Sequence, residues 1–378
     1  MIDTARTLFN VNDTYIPPPT AAEVLEEYAY RYGRSYDSYL VNEPDRECFW
    51  SRNGQGAVGL VRVGKYLKIG GGLLAPEECK SALLAELVEH AARRGQYLSF
   101  YNITDDDLPL FRDYGFQVTK WGEEAIVDLP ERTWDGKAFE WVRRQSNYCI
   151  RQGVEFSEVK KDELFADDWS AMLAEFDEMS AALLAAKPQS RELRFLDGAF
   201  DPDRLGRKRI FVARSAPAAN RVEGFLVANP GADRRLWSFE LYRHRPDAVR
   251  GTMTFLMHQA MRQLASEGVE AVSLCLLPGL RAGGPRLGDS ALARRGIALG
   301  SRYFNFLFDA AGLYHFKSRF RPRYESRYIC ALPKITLGSA WALIRLLGVL
   351  DVEPRKLARI LGRRCRKWLP RTTLAAPD

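Results

Sequence analysis

One order of elements occurs twice in this chain: strand, turn, helix, glycine, strand. A parallel strand pair needs a crossover helix, so the pattern restricts the chain to layered α/β architectures. In the first copy, strands at Ala57–Val63 and 66–69 lead into a turn at Gly70, Gly71 and Gly72. A helix follows over 76–93, with Leu83, Leu84, Leu87, Val88 and Ala91 at helical spacing. Gly95 stops it and the apolar run Tyr97–Ile103 returns as a strand. In the second copy, strands at 210–213, 224–228 and 236–241 precede a turn at 244–251. A helix over Thr252–Ser266 then ends at Gly268, and 269–277 is the returning strand.

The sequence therefore divides into an N-terminal unit (1–130), a connecting helix (131–153), a second unit (154–335) and a basic tail (336–378). The connecting segment is rich in Arg, Lys and Gln, a helical insert is expected over 162–186, and 279–288 reads as a loop. With 378 residues, 46% of them hydrophobic, there is apolar material for two cores. The first 20 residues have neither the pattern of a signal peptide nor that of an anchor. The apolar stretch 335–350 is interrupted by Arg345 and is short for a bilayer. Six scattered cysteines, with no C-x-x-C pair, suit a reducing compartment, so the expected location is cytoplasmic.

Four segments carry a family resemblance. Residues 238–253 read Ser-Phe-Glu-Leu-Tyr-Arg-His-Arg-Pro-Asp-Ala-Val-Arg-Gly-Thr-Met, and 312–324 read Gly-Leu-Tyr-His-Phe-Lys-Ser-Arg-Phe-Arg-Pro-Arg-Tyr, continuing to Arg327 and Tyr328. Residues 108–116 (Leu-Pro-Leu-Phe-Arg-Asp-Tyr-Gly-Phe) and 122–129 (Gly-Glu-Glu-Ala-Ile-Val-Asp-Leu) match in the first unit. Together they resemble the cytosolic catalytic domain of bacterial aminoacyl-phosphatidylglycerol synthases, here in a stand-alone form without the family's membrane flippase. The resemblance implies a tandem fold of two units like those of Gcn5-related acetyltransferases, each a mixed sheet flanked by helices. It also implies transfer of an aminoacyl group from charged tRNA to a lipid hydroxyl, with no cofactor. Glu240 stands where the family usually has Asp, and 273–278 lack the family's glycine-methionine pair.

An aminoacyl ester is already activated, so its transfer calls for positioning, a carboxylate for the α-ammonium and stabilisation of the developing oxyanion. Glu240 is the expected carboxylate, with Asp247 a second candidate; a pairing of Glu240 with Arg243 or Arg250 is the competing role. Arg250 and Thr252 open a helix and form a candidate anion site, with a plain helix cap as the alternative. Lys317, Arg319 and Arg327 belong to the closing motif, and the family match places Lys317 and Arg327 at the acceptor's head group. The expected catalytic residues are Glu240, Lys317 and Arg327, and the expected substrate contacts are Arg243, Asp247, Arg250, Thr252 and Arg319.

No His, Cys, Asp and Glu spacing suggests a metal, and no Walker loop or nucleophile elbow is present. Neither turn fits the pyrophosphate loop of acetyltransferases well. A transferase using a CoA thioester, or one acting on a small soluble amine or hydroxyl, stays as the alternative. The net charge of +7 favours polyanionic partners, aminoacyl-tRNA and an anionic phospholipid surface. Residues 355–368 plot as a basic amphipathic helix for the inner membrane face, with tRNA contact or packing on the protein's own core as competing readings.

Overall fold

A computed structural model describes residues 21–186, 195, 198, 200–216, 220–303 and 310–348. The predicted amphipathic segment 355–368 lies outside the described residues.

The strands are β1 (Glu47–Trp50), β2 (Ala57–Val63), β3 (Tyr66–Leu74), β4 (Tyr97–Ile103), β5 (Gln117–Asp128) and β6 (Val154–Val159). They continue with β7 (Arg209–Ser215), β8 (Arg221–Gly231), β9 (Leu236–His244), β10 (Ala271–Pro278) and β11 (Arg323–Leu332). The helices that matter below are α1 (Ala21–Tyr32), α2 (Lys80–Arg93), α3 (Leu108–Asp113), α4 (Glu140–Arg151), α5 (Ala166–Ala186), α6 (Thr252–Ser266), α7 (Ala291–Tyr303), α8 (Ala310–Ser318) and α9 (Leu337–Leu346).

The mixed α/β class expected from the sequence is present, with the strands of both repeats joined in one sheet. Its order is β1-β2-β3-β4-β11-β5-β10-β9-β8-β7-β6. Each repeat contains one parallel pair made by a crossover helix: β3 with β4 through α2, and β9 with β10 through α6. The closing strand of each repeat then leaves its own half. β5 pairs antiparallel with β10, β11 pairs antiparallel with β4, and the two closing strands pair with each other at the centre. The halves are thus joined by an exchange of strands.

Apolar clusters cover both faces of the sheet. α2 and α3 pack Leu83, Leu84, Leu87 and Phe111 against Leu67, Phe100 and Phe116. On the second half, α4 and α6 cover one face through Val142, Phe255, Leu256 and Met261. α5 covers the other through Met172, Phe176 and Met179. α9 lies over Tyr101 and Ile329.

The triple glycine does not turn the chain as the sequence suggested. It continues β3, with a register shift opposite β2. A Cβ on Gly71 would meet the backbone of Ser38 at 3.0 Å, and its φ of +79° lies in the left-handed region. Glycine is needed there because another backbone passes against the strand.

Lys68, fully buried on β3, has no carboxylate partner among the described residues. Its Nζ donates to Ser99 Oγ at 3.2 Å, to Ser339 O at 2.9 Å and to Ser339 Oγ at 2.7 Å. Desolvation pushes its ammonium down from 10.5 to about 7. Between those values the unfolded chain holds a proton that the folded chain lacks, so this site's contribution to stability rises with pH across that window and is flat below it. In paired melts of the parent and Lys68→Met, the stability of the parent relative to the variant should rise by roughly 1 kcal/mol per pH unit between pH 7 and 9.5. A difference that stays constant over that range would contradict the assignment.

Candidate functional site

The two parallel pairs diverge after a short register. β9 pairs with β10 only at Leu236, Trp237 and Ser238, and β3 pairs with β4 only as far as Ile69 and Phe100. Divergence leaves strand carbonyls and amides facing an opening, and buried backbone groups need partners.

In the first half the opening is closed. Asp37, 1% exposed, accepts from Gly71 N at 3.1 Å and from Asn102 Nδ2 at 2.8 Å, so its carboxylate bridges β3 and β4. Ser35 Oγ donates to its other oxygen at 2.6 Å.

In the second half a cation from α8 enters. Lys317 is 3% exposed, and its Nζ donates to Cys275 O at 3.3 Å and Leu276 O at 3.2 Å. β10 bulges there, with Cys275 at φ +67°. The Cys275 thiol donates to Phe239 O at 3.4 Å, so one residue contacts both diverging strands. Glu240 follows Phe239 at a bulge in β9, where the register passes from Phe239–Ala228 to Leu241–Val227. Its carboxylate accepts from Asn229 Nδ2 and Gly198 N.

Beside α8 lies a cleft of about 710 Å³, walled by α4 and the segment before it, α8, and the turn before α6. Lys137, Arg144, Arg250, Arg319 and Arg321 line it together with Trp141 and Tyr314; Glu140 is the sole acid in that lining. The Arg319 guanidinium sits 5.4 Å from the Trp141 ring centroid and its NH2 meets His315 Nε2 at 2.8 Å. Its Nε is buried with no hydrogen-bond partner among the described residues. Tyr314 stacks on Tyr324, with ring centroids 6.0 Å apart, and the Arg281 guanidinium lies 5.5 Å from the Tyr324 ring. Arginine forks and exposed rings suit phosphates and planar bases.

The expected site residues fall into separate places. Arg250 and Arg319 share the cleft. Lys317 shares α8 with the cleft-lining Tyr314, His315 and Ser318 but turns onto β10. Arg243, part-buried, donates from NH1 to Tyr242 O at 2.9 Å. Asp247 is exposed and held by Arg221 at 3.1 Å, which keeps its carboxyl below the usual carboxylate range. Thr252 is buried; its hydroxyl donates to Val249 O at 2.6 Å, and Gly251, at φ +91°, is the N-cap in its place.

Arg327 sits at the centre of the strand exchange, 1% exposed. Glu124 and Glu325 face each other across β5 and β11, an arrangement of like charges that would repel. Arg327 lies between them, with Nε to Glu124 at 2.6 Å and NH2 to Glu325 at 2.8 Å. Ser273 of β10 also donates to Glu124, so three strands meet on one carboxylate. Trp141, Arg144 and Lys137 were not singled out by sequence reasoning; the basic composition of the connecting segment was their one signal. Among the described residues, no three His, Cys, Asp or Glu side chains converge as a metal site would require.

This fold and cleft define an α/β protein built from two repeats with a basic, aromatic groove on the second. The family model "Phosphatidylglycerol lysyltransferase, C-terminal" matches residues 26–331, and the chain belongs to that family. It is 26% identical over 327 residues to the phosphatidylglycerol lysyltransferase of Bacillus subtilis, covering 86% of this chain and 37% of that protein. It is 25% identical over 322 residues to the enzyme of that name from Staphylococcus aureus, covering 85% and 37%. The chain thus spans little more than a third of those relatives. The L-PGS structure from Bacillus licheniformis superposes with a TM-score of 0.71 at 24% identity, covering 88% of this chain and 98% of that one. A C-terminal domain from Agrobacterium fabrum, assigned to a lysylphosphatidylglycerol synthetase, gives the same score and identity with 88% and 97% coverage. The two structures establish the shared fold.

The central ion pair makes a direct prediction. Arg327→Met alone leaves Glu124 buried without its guanidinium and should cost about 3–5 kcal/mol of stability in urea unfolding. Arg327→Met combined with Glu124→Gln should recover most of that loss. A single substitution costing under about 1 kcal/mol would contradict a structural role for the pair.

Proposed function

We propose that this chain is an aminoacyltransferase that moves an aminoacyl group from aminoacyl-tRNA to a hydroxyl of a phosphatidylglycerol-like lipid, working at the inner face of the cytoplasmic membrane. The observation that carries the reading is the cleft. Five cations and two rings around about 710 Å³ suit a polyanion with planar bases, in a chain whose family includes phosphatidylglycerol lysyltransferases.

The reaction is an ester exchange. The acceptor oxygen attacks the aminoacyl carbonyl and forms the new C–O bond; the bond to the tRNA ribose oxygen breaks, and the acceptor proton passes to that oxygen. In our assignment, Arg250 and Arg319 hold phosphates in the cleft. Lys317 neutralises charge developing on the carbonyl oxygen, and Glu240 receives the α-ammonium of the aminoacyl group. Arg327 and Glu124 position the strands that carry these groups. The roles of Arg243, Asp247 and Thr252 as substrate contacts stay part of the proposal. We keep the division into units at 1–130 and 154–335 as a reading of the internal repeat.

The test incubates the chain with a pool of labelled aminoacyl-tRNAs and phosphatidylglycerol vesicles and follows label into the organic phase. Label should appear there. Arg319→Ala should raise KM for tRNA about ten- to a hundredfold with little change in kcat, since a charge-assisted phosphate contact is worth roughly 1.5–3 kcal/mol. Absence of label in lipid, together with acyl transfer from a CoA thioester, would overturn the reading.

A further inference from the structure

α9 is apolar on both sides. Its inner side carries buried Ser339 and Ala342, and Leu343 and Leu346 pack onto the Tyr101 and Ile329 cluster. Its outer side carries Leu337, Trp341 and Ile344, at 73%, 54% and 37% exposure. Their spacing of four and then three residues sets them in one stripe along the helix. A water-facing side would ordinarily be polar, and this one is not.

The helix is also fixed in place. Thr336 caps it by accepting from Ser339 N at 3.1 Å, and the buried Lys68 ammonium holds Ser339 through both its carbonyl and its hydroxyl. Rotation of the stripe toward the sheet would break these bonds and strand a buried lysine.

Charge decides what fits the stripe. Lys334 and Arg345 are exposed beside it, and no acid occurs from 332 to 350. From 334 to 371 the sequence has ten lysines and arginines against two acids, Asp351 and Glu353. A second copy of the same surface would bring like charges together. A nucleic acid would match the charge but gain nothing from Leu337 and Ile344. An anionic bilayer answers both features: apolar side chains and tryptophan seat at the boundary between head groups and acyl chains, with cations at the phosphates.

We propose that α9 docks the protein on an anionic lipid surface, with Leu337, Trp341 and Ile344 entering the head-group boundary and Lys334 and Arg345 contacting lipid phosphates. The docking surface is separate from the basic cleft and stands or falls apart from the transfer chemistry.

The test is sedimentation of the full chain with vesicles of phosphatidylglycerol and phosphatidylcholine, and with phosphatidylcholine alone. Binding should require the anionic lipid. Leu337→Glu combined with Trp341→Glu should reduce it at least about tenfold. Both side chains are exposed, so the melting temperature should hold. The same variant should keep its transfer to a short-chain, monomeric phosphatidylglycerol. Equal vesicle binding by variant and parent, or no binding by either, overturns the proposal. A dimer of the parent that the variant abolishes would assign the stripe to a second copy and overturn it as well; loss of tRNA binding alone would assign it to nucleic acid, with the same consequence. Failure of transfer with vesicle binding intact would count against the transferase reading and leave the docking surface standing.

Discussion

Arg327 lies between two carboxylates that face each other across the two central strands, and both halves of the molecule meet on that contact. β11 reaches β4 of the first half only after the whole second half has been made, and β5 of the first half leans on β10 of the second. The closing contacts therefore join residues far apart in sequence, such as Leu332 with Leu98. A charge cluster at such a junction is costly to bury and more costly to leave half-made, so it favours one register of the two closing strands over slipped alternatives. Ser273 ties the third strand, β10, to the same Glu124 carboxylate.

The exchange also sets up the site. A parallel pair that diverges leaves polar backbone exposed to its own opening, and the two halves answer this in different ways. Asp37 closes the first opening by bonding to both strands, and the glycines of β3 let the chain around Ser38 come close enough to deliver it. In the second opening an ammonium, Lys317, occupies the bulge of β10, carried by the helix whose other side chains line the basic cleft. One repeat has become a sealed support and the other keeps a cation beside a groove.

Much of this frame was readable from residue order. The helix of the second repeat, Thr252–Ser266, and the strand Tyr97–Ile103 have the bounds that periodicity and the flanking glycines indicated. β11 was harder to read. Its first half, with Arg323, Glu325 and Arg327, is dense in charge that would ordinarily mark a solvated loop, and only the pairing with β5 shows that these charges neutralise one another inside a sheet. The glycine triplet misled for a related reason, because glycine serves close backbone approach as well as turns. Of the expected site residues, Arg250 and Arg319 share the cleft while Thr252 bonds within its own turn. The partners in the cleft wall, Trp141 and Arg144, come from a connecting helix whose relation to the second repeat no local pattern encodes. Lys68 was invisible as a buried cation because its partners are a serine 31 residues on and another 271 residues on in the chain.

Native-state hydrogen exchange of the backbone amides under low denaturant tests the strand exchange most directly. Amides of β4, β5, β10 and β11 should exchange slowest and share one dependence on denaturant, because neither half keeps its closing strand when the other opens. Exchange of β1–β4 through its own smaller opening, with β5, β10 and β11 still protected, would contradict it.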